Sequence, residues 1–455
     1  MKVAWLLFAA VSLVIASACG GGPPPRSINE SFEDLASFTG KAVPASAAVY
    51  ISGINSVGQT SMWLGESWFT RGHSHSGLFK SEPNGSGWQQ MLGWDGWPLW
   101  QKHFDSKNAL VAAEFEEGYR LHLRLLSTAD GGLHWRAADL PVGPFSGWSA
   151  QSIDFADRNN GWLMIGLGSF GDVACGQAKE AVAIYRTRDG GATWSEIVRV
   201  DQQHPSSHGL KLEAGKVGLS FRTTDSGYIT TSDPTEGDIV YFTKDGGDSW
   251  NPQALPINQG RGVAVIAPPN WITSDVGLMS VDISSRPLSA CTLRSPSTEP
   301  QPSRTPEPWD VEGPANLVAP APGPWLLATT DGGASWIVLE PSSRWGSISS
   351  VAPTDGTHWF VASADNIWRT ADGGRQWAVN KSVLKPGCDF GDLGFVNPTN
   401  GVGSALCEEP GPVIQGCPGG PDYISTWDCP PLAAPLLVTR DSGDTWSEVP
   451  KPTLR

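Results

Sequence analysis

Acidic side chains are the residues of this sequence whose chemistry could serve a hydrolase. Two carboxylates about 5 to 10 Å apart can cleave a glycosidic bond, one as the acid and the other as base or nucleophile. Ten acidic residues fall near segments that we expect to be loops: Glu66, Glu114, Glu116, Glu117, Asp172, Asp233, Glu236, Asp238, Asp282 and Asp365. Their separations in space cannot be read from the sequence, and no pair stands out. We therefore predict no catalytic residue, and a carboxylate-based hydrolase stays open as an alternative.

Tyrosine and histidine offer two further kinds of chemistry. Tyr119 follows Glu116 and Glu117, which would suit a tyrosine nucleophile beside a carboxylate, although packing on a strand is the simpler expectation. His73 and His75 fall on one side of an extended segment, but two ligands without a third are weak support for a metal site. The sequence has no C-x-x-C pair for zinc. We predict neither a metal nor another cofactor.

A recurring eight-residue pattern defines the elements that must position these residues. Thr, Asp, Gly and Trp stand at positions one, three, five and eight of Thr187 to Trp194. Other copies start at Thr128, Thr243, Thr329, Thr370 and Thr439, and Ser81 to Trp88 is a degenerate copy with Pro83 in place of the Asp. The Asp is expected to accept hydrogen bonds from backbone N–H groups a residue or two further on, and the Gly to permit a tight turn between antiparallel strands. Structural roles are predicted for Asp130, Asp189, Asp245, Asp331, Asp372 and Asp441, and for Trp88, Trp135, Trp194, Trp250, Trp336, Trp377 and Trp446.

This pattern resembles the Asp-box, or BNR, repeat of sialidases, other glycosidases, sortilin-type receptors and photosystem II assembly factors. The resemblance covers about nine tenths of the chain and implies an all-β, seven-bladed propeller of four-stranded blades, with six or eight blades as alternatives. It implies little about activity, because these families include both hydrolases and scaffolds. The Arg-Ile-Pro segment of sialidases is missing ahead of the first boxes. The photosystem II assembly factors are the most similar over the whole domain.

A second repeat precedes each box and fixes where a site would lie. Phe155 to Trp162 is typical of strand, polar turn and strand, so each unit runs inner strand, turn, second strand, variable loop, third strand, box and outer strand. The variable loops then gather opposite the boxes, where binding sites usually lie on such scaffolds. Trp68, Trp309 and Trp427 fall in expected insertions and are our candidates for exposed contact residues.

The N-terminal residues are typical of an exported lipoprotein. Residues 1–18 read as a signal peptide, and Ala16-Ser17-Ala18-Cys19 resembles a lipobox in which Cys19 would carry the lipid. Residues 19–42 would be a flexible tether, and residues 43–455 the propeller, with a Pro-rich insertion at 282–324. No later segment is long and apolar enough to be a transmembrane helix.

Six cysteines remain if Cys19 is lipidated, and an even number in an exported protein indicates disulfides. Cys388 and Cys407 flank one hairpin, Cys417 and Cys429 close a loop, and Cys175 and Cys291 would pair by elimination. Fifteen pairings are possible, and local proximity alone favours this one.

The composition and net charge favour some classes of fold and partner and disfavour others. A net charge of -15 and a pI near 4.9 argue against a nucleic-acid partner, whose phosphates would be repelled. The 53 Gly, 37 Pro and 22 Trp suit a turn-rich all-β domain. We predict a non-catalytic binding or scaffold lipoprotein of the cell envelope, on the outer side of the cytoplasmic membrane or in the outer membrane. Its partner would be an envelope protein or a glycan, and only the lipid would touch the membrane. The alternative is a carbohydrate-active enzyme, sialidase-like or another glycoside hydrolase.

Overall fold

A computed structural model describes residues 27–29, 33–34, 49–57, 61–70, 73–82, 85–117, 120–141, 149–170, 179–212, 215–232, 239–257, 264–283, 323–339, 348–364, 366–380, 384, 387–407 and 435–451. Within these ranges, all of the regular secondary structure is β-strand. The chain divides into two compact units, of which unit 1 includes Asn29–Pro144 and Trp345–Arg455, and unit 2 includes Phe145–Arg344.

The strands are numbered in chain order. The first sixteen are β1 (Ser27–Asn29), β2 (Glu33–Asp34), β3 (Val49–Val57), β4 (Ser61–Thr70), β5 (His73–Ser81), β6 (Gln89–His103), β7 (Ala109–Glu117), β8 (Arg120–Thr128), β9 (Arg136–Asp139), β10 (Ser149–Phe155), β11 (Gly161–Phe170), β12 (Lys179–Thr187), β13 (Thr193–Val200), β14 (Ser206–Ser207), β15 (Leu210–Lys211) and β16 (Gly215–Phe221). The others are β17 (Gly227–Ser232), β18 (Ile239–Thr243), β19 (Asn251–Ala254), β20 (Ala264–Ile266), β21 (Asn270–Trp271), β22 (Gly277–Ile283), β23 (Gly323–Thr329), β24 (Ile337–Val338), β25 (Ile348–Pro353), β26 (Trp359–Ser363), β27 (Asn366–Thr370), β28 (Ala378–Asn380), β29 (Cys388–Phe395), β30 (Gly401–Cys407), β31 (Leu436–Thr439) and β32 (Ser447–Val449).

Unit 1 contains antiparallel strands in sequential order. One continuous path runs β2-β9-β8-β7-β6-β5-β4-β3, and two four-stranded sheets run β25-β26-β27-β28 and β29-β30-β31-β32. Strand β6 serves two ladders, because its residues up to Asp95 pair with β5 and those from Gly96 onward pair with β7. Gly96 has φ +139°, and a Cβ there would overlap the carbonyl group of Glu114, so this crossing point requires glycine.

Unit 2 repeats the same plan. Its sheets run β1-β13-β12-β11-β10, β16-β17-β18-β19 and β20-β22-β23-β24, with β21 also paired to β22 and a separate β14-β15 ribbon. In both units, strands that follow one another in the chain pair antiparallel in that order, and the strand after each box is called the outer strand below.

The box turns connect third strands to outer strands, as predicted. Thr187 donates its hydroxyl to Asp189 Oδ1 (2.8 Å) and accepts the N–H of Gly191 at Oγ1 (2.9 Å). Asp189 then accepts the N–H of Thr193 at 2.8 Å and its hydroxyl at 2.6 Å. The expectation of a carboxylate bonded one or two residues on was wrong, because the bonded N–H lies four residues on and the Thr hydroxyl bridges the turn.

The Phe-x-x-x-x-x-Gly-Trp repeat packs neighbouring sheets of unit 2 together. Trp162 of β11 stacks on Phe221 of the following sheet, with ring centroids 3.5 Å apart and planes 1° from parallel. Phe221 in turn meets the box residue Trp250 edge-on at 6.0 Å. Gly227 must lack a side chain, because a Cβ there would lie 2.6 Å from Cγ of Phe221. The spacing of Phe and Gly is thus set by the ring that covers the glycine.

The N-terminal segment departs from the expectation of a simple tether. Within residues 19–42, β1 pairs with the outer strand β13 in unit 2 and β2 pairs with the outer strand β9 in unit 1. The signal peptide, Cys19 and residues 284–322 of the Pro-rich insertion lie outside the described residues. Among those described, no helix has the length and hydropathy to cross a membrane.

Candidate functional site

A groove of about 360 Å³ opens at the outer strand of the last sheet of unit 1. It lies where the N-terminal end of β31 runs beside the C-terminal end of β32, since Leu436 pairs with Val449. Its walls combine apolar residues and prolines with two opposite charges: Pro435, Leu436, Glu448, Val449, Pro450 and Lys451. Such a mixture of apolar wall and few charged groups is what a binding site requires.

Glu66 of β4 lies close to the charge of Lys451. Its side chain is 1% exposed, and burial raises its pKa to about 8 although the Lys451 charge acts in the opposite direction. Burial likewise lowers the pKa of Lys451, against the effect of Glu66. Desolvation therefore outweighs the attraction, and Glu66 is mostly protonated at neutral pH.

Glu66 also carries an unsatisfied atom. Within the described part of the chain, its Oε1 is buried and has no hydrogen-bond partner. A buried oxygen without a partner costs stability. Glu66 does not itself line the groove, and its link to the groove is the charge of Lys451.

A second polar cluster lies where the C-terminal end of β4 meets the N-terminal end of β5. His75 Nδ1 is 2.6 Å from Asp95 Oδ1, and the His75 ring stacks on Trp68 with centroids 5.6 Å apart. His75 is 1% exposed and Asp95 31%, so the imidazole is buried and the carboxylate reaches solvent, and the pair joins β5 to β6. No cluster of three metal-binding side chains occurs in the described ranges, which exclude the side chain of His73.

Serine hydroxyls extend this cluster toward β7. Ser74 donates its N–H and hydroxyl to Glu116 Oε1 at 3.1 and 2.5 Å. Ser76 donates to the carbonyl of Gly96 at 2.8 Å and is 3.0 Å from the hydroxyl of Ser67. Burial raises the pKa of Glu114, and the negative charge of the neighbouring Glu116 raises it further. Glu116 thus binds Ser74 at the start of β5, and neither carboxylate lines the groove.

The other predicted residues have different outcomes. Trp68 is fully buried in a cluster with Leu64 and Phe79, so the prediction of an exposed contact residue was wrong. Alternation along β4 places Trp68 on the same side as Leu64, whereas the sequence suggested an insertion there. Asp282 is exposed on β22. The remaining candidates lie outside the described residues or, for Glu117, outside those whose side chains are described: Glu117, Tyr119, Asp172, Asp233, Glu236, Asp238, Trp309, Asp365 and Trp427.

Two of the cysteines lie within the described residues, and they form one pair. Cys388 and Cys407 are disulfide-bonded and lie opposite each other on β29 and β30. Cys19, Cys175, Cys291, Cys417 and Cys429 lie outside the described residues.

Two residues of interest were not found from the sequence. Lys451 follows the last strand in an undistinguished tail, and only its approach to Glu66 in space marks it. Asp392 lies at an irregularity of β29, where burial raises its pKa to about 6 and its N–H donates to Ser404 Oγ at 2.9 Å. A better signal was available for Glu66, since a charged residue between Leu64 and Trp68 interrupts an apolar row of alternating positions.

The repeated antiparallel sheets with their Asp-box hairpins define an all-β fold, built from the kind of antiparallel sheet that propellers repeat. Among solved structures, YCF48 from Cyanidioschyzon merolae is 16% identical, with 80% of this chain and 94% of that chain covered and a TM-score of 0.41. The GH74 enzyme of Niastella koreensis is 14% identical, with 91% and 68% covered and a TM-score of 0.47. The β-propeller domain of the Trilobed protease from Pyrococcus furiosus is 8% identical, with 89% and 96% covered and a TM-score of 0.46.

No family model matches the chain. No curated protein matches it either. The solved structures include proteins of different activities at low identity, so function must be argued from the residues of this chain.

Proposed function

We propose that this protein is a non-catalytic binding or scaffold lipoprotein of the cell envelope, and that the groove beside Lys451 receives part of its partner. The observation that carries the proposal is the groove itself, whose wall joins apolar groups to Lys451, a residue whose charge acts on the buried Glu66.

The walls favour binding by a mixed surface. Val449 and the two prolines offer apolar contact, while Glu448 is exposed and Lys451 half-buried. Apolar contact supplies affinity, and the two opposite charges would orient a partner with complementary groups. An envelope protein or a glycan fits this description, whereas the net charge of -15 disfavours nucleic acid.

The surrounding architecture belongs to the same proposal. The sheets would close as a seven-bladed propeller of four-stranded blades, which leaves short and protected strand edges. Cys19 would carry the lipid and hold the protein at the outer side of the cytoplasmic membrane or in the outer membrane, and Cys417–Cys429 and Cys175–Cys291 would be further disulfides. Substitution of Cys19 by Ala is expected to release the protein from the membrane fraction.

Site-specific photo-cross-linking in intact cells tests the binding site. A photoreactive residue replaces Glu448, and the matched control carries it at Val379, which follows its box Trp by two residues on β28 just as Glu448 does on β32. We expect one dominant adduct from position 448 and none from 379. Binding of the purified partner, or of glycans on an array, should then weaken at least about tenfold in Lys451→Ala, the effect of losing a well-placed charge. Equal adducts from both positions, or unchanged affinity, would refute the groove as the site.

A second candidate function rests on the protonation of Glu66. A carboxyl group that stays protonated at neutral pH is the form that a glycoside hydrolase uses as its acid, and Glu448 also acts on Lys451. Because Glu66 is only 1% exposed, a substrate could touch it only after side chains move. Hydrolysis of glycosides by the wild type, abolished in Glu66→Gln and Glu448→Gln, would replace the binding proposal. The absence of turnover together with retained binding in both variants would exclude the enzyme.

A further inference from the structure

Two outer strands carry an additional strand from the N-terminal segment. In unit 1, β2 pairs antiparallel with β9, with Glu33 opposite Ala137 and Asp34 opposite Arg136. In unit 2, β1 is hydrogen-bonded beside β13 at the edge of the sheet. These short strands cover backbone groups that an edge strand otherwise leaves unpaired.

The covered edges are open to strand addition. Strand β13 has eight residues and β9 has four, and neither contains proline. Four other outer strands are protected differently: β19 contains Pro252, β32 is followed by Pro450, and β24 and β28 have two and three residues. Residues 89–95 of β6 have neither protection, and no added strand pairs with them in the described ranges. Proline and short length both oppose pairing at an edge, and both added strands lie at edges without these protections.

The added strands are held weakly. The β2-β9 ladder consists of two residue pairs, one of which sets an acidic residue opposite a basic one. Such a cross-strand pair adds little stability. Fourteen residues lie between Asp34 and Val49, a length of chain that can span at most about 50 Å. This length is sufficient for β2 to reach the edge strand of another molecule.

We propose that the outer edges of β9 and β13 are strand-acceptor sites, filled in cis by β2 and β1 and in trans by the same segment of a second copy. The occupant is an extended peptide that places an acidic residue opposite Arg136. This exchange would link copies of the protein. The inference rests on the strand edges alone and is independent of the groove and its partner.

Release of β2 in the full chain tests the proposal. Glu33→Pro with Asp34→Pro removes both backbone donors of β2, and Gly40→Pro with Lys41→Pro serves as the control. The probe is a fluorescein-labelled peptide of residues 27–38, followed by fluorescence anisotropy. We expect at least tenfold tighter peptide binding by the released chain than by the wild type or the control, and roughly tenfold faster hydrogen exchange in β9. No peptide binding by the released chain, or unchanged exchange in β9, would overturn the proposal.

A charge exchange keeps the test decisive if the proline variant does not fold. Arg136→Asp should speed exchange in β9 and weaken binding of the wild-type peptide, because two acidic residues would face each other. Adding Asp34→Arg in the same chain should restore protection, and the peptide with Asp34→Arg should bind the Arg136→Asp chain in preference to the wild type. Failure of both rescues would show that β9 does not select its occupant through this pair.

Discussion

Replacing Gly227 by Ala tests whether aromatic stacking fixes the glycine of the Phe-x-x-x-x-x-Gly repeat. The new Cβ would lie 2.6 Å from Cγ of Phe221 and closer still to its Cδ1, where ordinary contact begins at 3.4 Å, so the ring must move by more than about 0.8 Å. It cannot retreat freely, because Trp162 stacks on it at 3.5 Å. Overpacking of this kind costs about 1 to 3 kcal/mol, and the tight sandwich favours the upper half of that range.

A loss of stability of this size can be measured by thermal unfolding. For a cooperative unit of roughly 200 residues, 1 kcal/mol corresponds to about 2 to 4 °C in Tm, so Gly227→Ala should lower Tm by about 4 to 12 °C. Tryptophan fluorescence and near-ultraviolet circular dichroism would follow the melt. The control is Gly356→Ala, where a Cβ meets nothing within 4 Å.

A double variant separates this cause from others. Phe221→Leu removes the ring, so Gly227→Ala should cost much less in that background. Equal Tm values for Gly227→Ala and Gly356→Ala, or strictly additive effects in the double variant, would refute the reasoning.

Three further predictions concern acid stability, the groove and the disulfide. The hydroxyl and N–H of Ser335 lower the pKa of Asp331 to about 2. The contribution of Asp331 to stability should therefore be complete above pH 4 and disappear as pH falls toward 2. In thermal melts between pH 2 and 5, this loss of stability should be smaller in Asp331→Asn. Burial raises the pKa of Glu66 to about 8, so stability should fall as pH rises from 4.5 to 8, and Glu66→Gln should flatten that decline in denaturant titrations. Joint replacement of Cys388 and Cys407 by Ser should cost about 2 to 4 kcal/mol, and mass spectrometry after thiol alkylation would test whether the native pair is oxidised.

Much of the fold could be predicted because its signals are local. A box such as Thr187 to Trp194 specifies its own turn through hydrogen bonds within eight residues, and Phe221 and Gly227 contact each other across one hairpin. Periodic copies of such signals predict strand order without knowledge of distant contacts.

The candidate site could not be predicted in the same way, because it depends on residues far apart in the chain. Glu66 is on β4 and Lys451 follows β32, and only the packing of their sheets brings them together. Trp68 was misassigned for a related reason: its burial comes from neighbours such as Val402, which belong to the other end of the sequence. The pairing of β1 and β2 with outer strands was hidden because two or three residues carry no periodic pattern.

The long strand β6 has a consequence for how unit 1 opens. Its residues before Gly96 complete one ladder and those after it begin the next, with no loop to act as a hinge between them. Separation of these two ladders would have to break the backbone hydrogen bonds of a continuous strand, so they should exchange amide protons as one cooperative block. Slow motions of unit 1 should therefore start at sheet edges such as β28 or β32 and spare the junction at Gly96.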